Sequence, residues 1–204
     1  MKILAYDTSS EVLTAALARD GDVVCEMENA SPARHSAALV PLLEKMLHSA
    51  RWKPAELDVL AVGVGPGSFT GIRVGVATAK MLAFVWKTKL VGVSSLEALA
   101  QGREGKIAVT LDARGGKIYA ALFEKQRSKL RTLIGPMLTT PEGFRDLVGN
   151  GHARSLQAHA HGVRASAVAK AAHEKARAGR FVTPDALEPL YLYPKDCNAT
   201  KKKS

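Results

Sequence analysis

Three places in the chain gather residues whose types could do chemistry. Asp7, Thr8 and Ser9 form a polar turn after the apolar run "KILAY", and Asp112 ends a similar run, "IAVTL". An aspartate at a strand end can hold a metal ion, and neighbouring hydroxyls can contact phosphate oxygens. Two such turns facing one cleft would make a phosphate or magnesium site, the makings of an ATP-dependent phosphotransferase or ATPase. The same side chains can equally cap backbone N–H groups inside their own hairpins.

The second place is His35 with Ser36, for which Asp7 is available as an orienting acid, but a triad is defined by geometry. A metal site on that helix would want a second histidine at i+3 or i+4. Those positions are Ala38 and Leu39, and His48 lies several turns away. Arg34, His35 and Ser36 read as a helix-entry segment. His152, His159 and His161 are scattered over loop-like sequence, so neither a metal site nor a catalytic set is expected.

The third place is "VGVGPGSFTGIRVG", residues 62–75. It has the glycine density of a phosphate loop but no GK[ST] ending, so no lysine reaches a bound phosphate. The loop runs into a helix, on which Gly71, Gly75, Thr78 and Leu82, with Ala79 beside them, fall on one stripe. Each glycine inside a helix costs about 1 kcal/mol relative to alanine, so such a helix gains something from close approach. A neighbour in the same domain could supply that gain. The sharper reading is a subunit interface, with Phe84 and Trp86 adding apolar surface, as core or as contact.

The elements that must position these residues emerge from periodicity. Residues 2–7, 12–19 and 22–29 read as an antiparallel meander turning at Asp20 and Gly21. A helix carries Leu39, Leu43, Met46 and Ala50 on one face, and Pro41 suggests that it becomes regular only near that residue. Residues 57–65 and "KLVGV" are strands, and Ser94 or Ser95 caps a short helix through Leu99. The second half repeats the theme: "ILAYDTSSEVLTAAL" is matched by "IAVTLDARGGKIYAAL", which suggests a duplicated β-rich α/β unit. A third strand falls within 130–138, Thr140 and Pro141 open a helix through Val148, and residues 165–178 form an alanine-rich helix. The glycine-rich "AQGREG" divides a first lobe, 1–104, from a second, 105–204.

The chain has 204 residues, 47% of them hydrophobic, and a formal charge of +10. Those values suit a globular protein with an anionic partner such as nucleic acid or an acidic protein, and make direct RNA binding a third possibility. Lys125, Arg127, Lys129 and Arg131 alternate and would share a face if extended. With Lys201, Lys202 and Lys203 they could form an RNA footprint, although no aromatic stacking pattern accompanies them. Cys25 and Cys197 are too far apart for a local redox or zinc motif, and a reducing cytosol is the expected home. Asp7 arrives too soon for a signal peptide, and the apolar stretch 74–86 is too short to span a bilayer.

Five stretches together resemble the TsaB/YeaZ family: "MKILAYDTSSEVLTAAL", "ARHSAALVPLLEKML", "LDVLAVGVGPGSFTGIRVGVATAKMLA", "VGVSSLEALA" and "LDARGGKIYAALF". The match runs through residues 1–124; later, "GNG" at 149–151 and "PLYL" at 189–192 are similar to family features. The resemblance implies a two-lobed actin/Hsp70/sugar-kinase-like (ASKHA) α/β fold of duplicated RNase-H-like units with mixed sheets. It implies a non-catalytic scaffold or activating subunit, without a cofactor, in making tRNA threonylcarbamoyladenosine. The implied partners are a TsaD-like catalytic subunit, a TsaE-like ATPase and a second copy of the chain. By the same resemblance the first-lobe helices are the contact surface, with His35, Leu39, Leu43, Met46, Gly71, Gly75, Thr78, Ala79 and Leu82 at the interface. The catalytic relative binds metal through an HxxxH motif, whereas alanine-rich sequence comes after His35 here. The second half departs from the family by its shortness, its basicity and a "YLYPKD" ending.

Overall fold

The computed structural model describes residues 1–30, 35–127, 129–149, 154–158 and 162–192, with the backbone alone at 154–158. Arg34, Ser128, His152, His159, His161, Cys197 and Lys201 to Lys203 lie outside the described residues.

Strands β1 (Lys2–Asp7), β2 (Leu13–Arg19) and β3 (Asp22–Asn29) form the expected antiparallel meander. Strand β4 (Val59–Gly63) runs parallel to β1, and β5 (Lys89–Val93) runs parallel to β4, giving the order β3-β2-β1-β4-β5. The central strands are apolar on both faces because both are covered. Leu4, Tyr6, Leu60, Val62 and Leu90 point to one side, and Ile3, Ala5, Val59, Ala61 and Val91 to the other.

Helices α1 (His35–Ala50) and α2 (Phe69–Trp86) cover the first side. Leu39, Leu43, Met46 and Leu47 come from α1, and Ile72, Val76, Ala79 and Ala83 from α2. Helix α1 starts at His35, a full turn and more before the expected point, with Pro41 inside it. The ring is tolerated because Pro41 is exposed, so water can serve the carbonyl it leaves unbonded. Helix α2 is longer than the 74–86 stretch. Its 18 residues are, by length and composition alone, enough to cross a membrane. One face of that length is used by the helix's own sheet.

The second sheet contains β6 (Gly105–Asp112), β7 (Ile118–Gln126), β8 (Lys129–Thr139) and β9 (Arg154–Ala158), in the order β8-β7-β6-β9, with β9 parallel to β6. This repeats β3-β2-β1-β4 strand for strand, so the duplication legible in the two aspartate-ended strands is a duplication of topology. Two helices here obey their capping signals. The five-residue α3 (Ser95–Leu99) has a Ser94–Glu97 capping box, and Thr140 accepts the Gly143 amide at the start of α4 (Pro141–Val148).

The boundary at 104/105 separates the two sheets but not the two packed units. Helix α5 (Ala165–Arg177) returns to the first sheet and closes its second face, with Val168, Ala169, Ala172 and Ala176 against Ile3, Ala5, Val59, Ala61 and Val91. Beyond it Val182 bridges to Leu90, Leu187 is buried in the first core, and the Leu190 amide donates to the Val64 carbonyl. A sheet apolar on both faces needs a second cover, and the only long helix left to supply it among the described residues lies late in the chain. The alternating basic set is also divided: Lys125 is buried while Arg127, Lys129 and Arg131 are exposed.

Candidate functional site

The Asp7–Thr8–Ser9 turn is sealed. Asp7 and Thr8 are fully buried and Ser9 nearly so. Asp7 Oδ1 accepts hydrogen bonds from the Ser9 amide and the Ser9 hydroxyl, at 2.7 and 2.6 Å. Ser9 Oγ lies 3.1 Å from Ser95 Oγ, and Thr8 Oγ1 donates to the Gly71 carbonyl at 2.7 Å. Asp7 Oδ2 is buried without a partner among the described residues and presses on Gly63, where an added Cβ would stand 1.8 Å from it. Burial pushes the Asp7 carboxyl above the usual aspartate range, against the Ser9 hydrogen bonds and the nearby His35. His35 is buried beside this turn, its Nε2 3.0 Å from the Ser10 carbonyl, and Ser36 points to solvent.

The glycine loop closes the same turn from outside. The Ser68 amide donates to the Ser9 carbonyl at 2.7 Å, and Ser68 Oγ caps α2 by accepting the Gly71 amide. Gly67 lies so close that a Cβ there would meet Ser9 O at 2.3 Å. The loop thus spends its entry amide on the protein's own backbone. Asp112 occupies the equivalent strand end in the second sheet but is exposed, its Oδ1 accepting the Arg114 amide. Arg114 lies 3.9 Å from Glu11, so the two turns are neighbours. Among the described residues no group of three His, Cys, Asp or Glu side chains is placed to hold a metal ion.

The stripe assigned to a partner is turned the other way. A Cβ on Gly71 would meet Thr8 O at 2.0 Å, and one on Gly75 would meet Thr8 Oγ1 at 2.3 Å. Ala79, His35, Leu39, Leu43 and Met46 are buried in or beside the same core, and Thr78 and Leu82 are half-buried. The small residues let α2 lie tightly on the β1 turn and its hydrogen-bonding hydroxyl, so they cannot also thin a face for another chain. Tyr6 joins the arrangement by donating from its buried hydroxyl to the Gly75 carbonyl.

The free surface of α2 is the opposite one. Met81, Phe84 and Val85 are 63%, 75% and 63% exposed, Ala77 continues the row, and Val40 of α1 adds a further exposed aliphatic side chain. At the head of the helix, the Arg73 guanidinium stacks 3.8 Å from the Phe69 ring centre and donates from Nε to Tyr191 OH at 2.8 Å. Sequence reasoning missed Met81 and Val85. The spacing 73, 77, 81, 85 carries the signal, but apolar types on both sides of one helix do not say which side the sheet takes.

The model of the family described as TsaD: tRNA N6-adenosine threonylcarbamoyltransferase matches residues 22–182. A Bacillus subtilis protein named tRNA threonylcarbamoyladenosine biosynthesis protein TsaB is 37% identical over 137 residues, 66% of this chain and 60% of that protein. The Escherichia coli protein of the same name is 35% identical over 133 residues, 63% of this chain and 57% of its own length. The chain thus spans about three fifths of these curated relatives. A Pseudomonas aeruginosa structure described as having similarity to peptidase YEAZ superposes with a TM-score of 0.81 at 23% identity, covering 94% of this chain and 99% of the other. That superposition shows the fold, and the family match, running through more than half of the sequence, shows the family: the chain belongs to the TsaD family, and its curated relatives carry the TsaB name.

Proposed function

We propose that this chain is a non-catalytic scaffold or activating subunit in tRNA threonylcarbamoyladenosine biosynthesis, acting in the cytoplasm by docking onto a TsaD-like catalytic subunit. The names of its relatives support the process. The observation that carries the role is the apolar outer face of α2, Met81, Phe84 and Val85, on a chain whose aspartate turn is closed. Large exposed apolar side chains grouped on one helix mark a contact surface, and a facing helix is the natural occupant. In isolation the same face can pair two copies of the chain. A TsaE-like ATPase joins the assembled complex.

Converting Met81 and Phe84 to Glu should leave the fold and thermal midpoint nearly unchanged, because both side chains are exposed. It should abolish co-elution with a TsaD-like subunit and with it threonylcarbamoyladenosine formation, read by mass spectrometry of digested tRNA. Unchanged pairing would move the interface elsewhere. A catalytic subunit fully active without this chain would remove the role itself. The sealed Asp7 weighs against a phosphotransferase. ATP turnover by the purified chain, lost in Asp7→Ala, would reverse that judgement.

A further inference from the structure

A cavity of about 390 Å³ lies at the opposite end of both sheets from the two aspartate turns, within the roughly 300–1,000 Å³ range of small-molecule sites. Asp7 and Asp112 terminate β1 and β6. The cavity is instead reached through the β2–β3 turn at Gly21, the segment after α3 and the far end of β7, with α5 as its wall. Every side chain lining it is polar or charged, or the residue is glycine.

Its charges do not cancel. Lys125 is 5% exposed, yet it is satisfied: Nζ donates to Glu174 Oε1 at 2.8 Å and to Gln101 Oε1. This pair is neutral and forms the floor. The other carboxylate, Glu104, accepts the backbone amide of Arg127 and has no ion-pair partner among the described residues, so it stands as a single negative charge against the remaining cations. Among the described residues Arg103 makes two long contacts, both 3.4 Å, to the carbonyls of Leu99 and Gln101. Arg127 and Lys170 have no ion-pair partner among the described residues. Three cationic side chains from three separate segments therefore surround one concavity. His173 also lines it, and its Nδ1 is buried with no hydrogen-bond partner among the described residues.

We propose that this cavity binds a small polyphosphate. A single carboxylate could engage one of the cations, whereas a chain of phosphoryl groups presents enough anionic oxygens for Arg103, Arg127 and Lys170 together. The apolar part of the lining comes from the stems of long polar and charged side chains, and the His173 ring is the one aromatic group there, so recognition falls on the phosphoryl groups and not on a nucleobase. The position, remote from the outer face of α2, leaves the ligand free to bind while that face is occupied.

Isothermal titration of the full-length chain with tripolyphosphate tests this. The expected result is saturable one-site binding that the double variant Arg127→Ala/Lys170→Ala weakens by about a hundredfold, roughly tenfold for each lost charge-assisted contact. The control variant Lys117→Ala/Arg145→Ala, altered away from the cavity, should bind like the parent, and equal urea midpoints should show all three proteins folded. The proposal is overturned by absence of saturable binding, by equal weakening in the control, or by a double variant that binds as the parent does. It is also overturned if an RNA hairpin binds more tightly than tripolyphosphate through the same residues, since the cavity rim would then be a nucleic-acid surface.

Discussion

A glycine beneath a backbone carbonyl and a glycine open to water make different demands, and Gly71 and Gly135 separate them. Gly71→Ala would place a methyl 2.0 Å from Thr8 O, and the backbone carbonyl cannot step aside as a flexible side chain could. We expect a loss of about 1–3 kcal/mol in urea unfolding. Gly135→Ala, with open space around the new methyl, should stay within about 0.5 kcal/mol of the parent. A bulky residue at Gly75 would press on Thr8 Oγ1, which is held by the Gly71 carbonyl, and should damage the isolated fold before any pairing can be scored. Asp7 is a second residue-scale case. Its carboxyl is raised by burial, so its favourable contribution is complete below the ordinary aspartate value and is lost as pH rises through the folded value. Asp7→Asn keeps the Oδ1 acceptor for Ser9 and removes the charge. Its stability should lack that decline when urea midpoints are compared across acidic to neutral pH.

At the scale of elements, helix α5 has no cap of its own, since Arg164 at its N-cap offers no side-chain acceptor. Glu26 of β3 supplies one: Oε1 accepts the Ser166 amide at 2.9 Å, and Oε2 accepts Arg164 Nε at 3.0 Å. Burial pushes the Glu26 carboxyl up, but these hydrogen bonds and the Arg164 charge hold it below the usual glutamate range. Glu26→Gln should therefore cost about 1 kcal/mol near neutral pH, and the difference should vanish as pH falls through the depressed value. No local sequence rule could have found this cap, because its partners are 138 and 140 residues apart. The legible part was local: alternation set the meander, Thr140 and Pro141 set the start of α4, and the small residues of α2 announced a close approach. Smallness reports that something is near without saying what, and for Gly71 and Gly75 the near thing is Thr8 of the same chain. The aspartate turn was legible in the same partial way, its residue types admitting both a ligand site and the internal cap it proves to be.

For the whole molecule, the repeated strand order makes two sheets but not two independent units, because α5 and the residues through Leu190 belong to the first sheet's packing. A fragment ending at residue 104 retains every strand of that sheet and lacks the cover over Ile3, Ala5, Val59, Ala61 and Val91. It should fail to give dispersed amide resonances or a cooperative melt, whereas the full chain should give both. A stable 1–104 fragment would contradict this packing. The glycine-rich stretch after Leu99 looked like a boundary because composition marks where the chain is loose, not where it later returns.

That return also sets a schedule during synthesis. The last strand of the first sheet ends at Val93, and the helix that covers its second face begins at Ala165, about seventy residues later. At roughly 5–20 residues per second, a ribosome leaves that face uncovered for about 4–14 s. A nascent chain in that interval presents an apolar sheet surface, the kind that chaperones bind and that neighbouring chains stick to. Translation pauses between codons 94 and 165 should therefore lower the soluble yield of this protein more than pauses placed after codon 177.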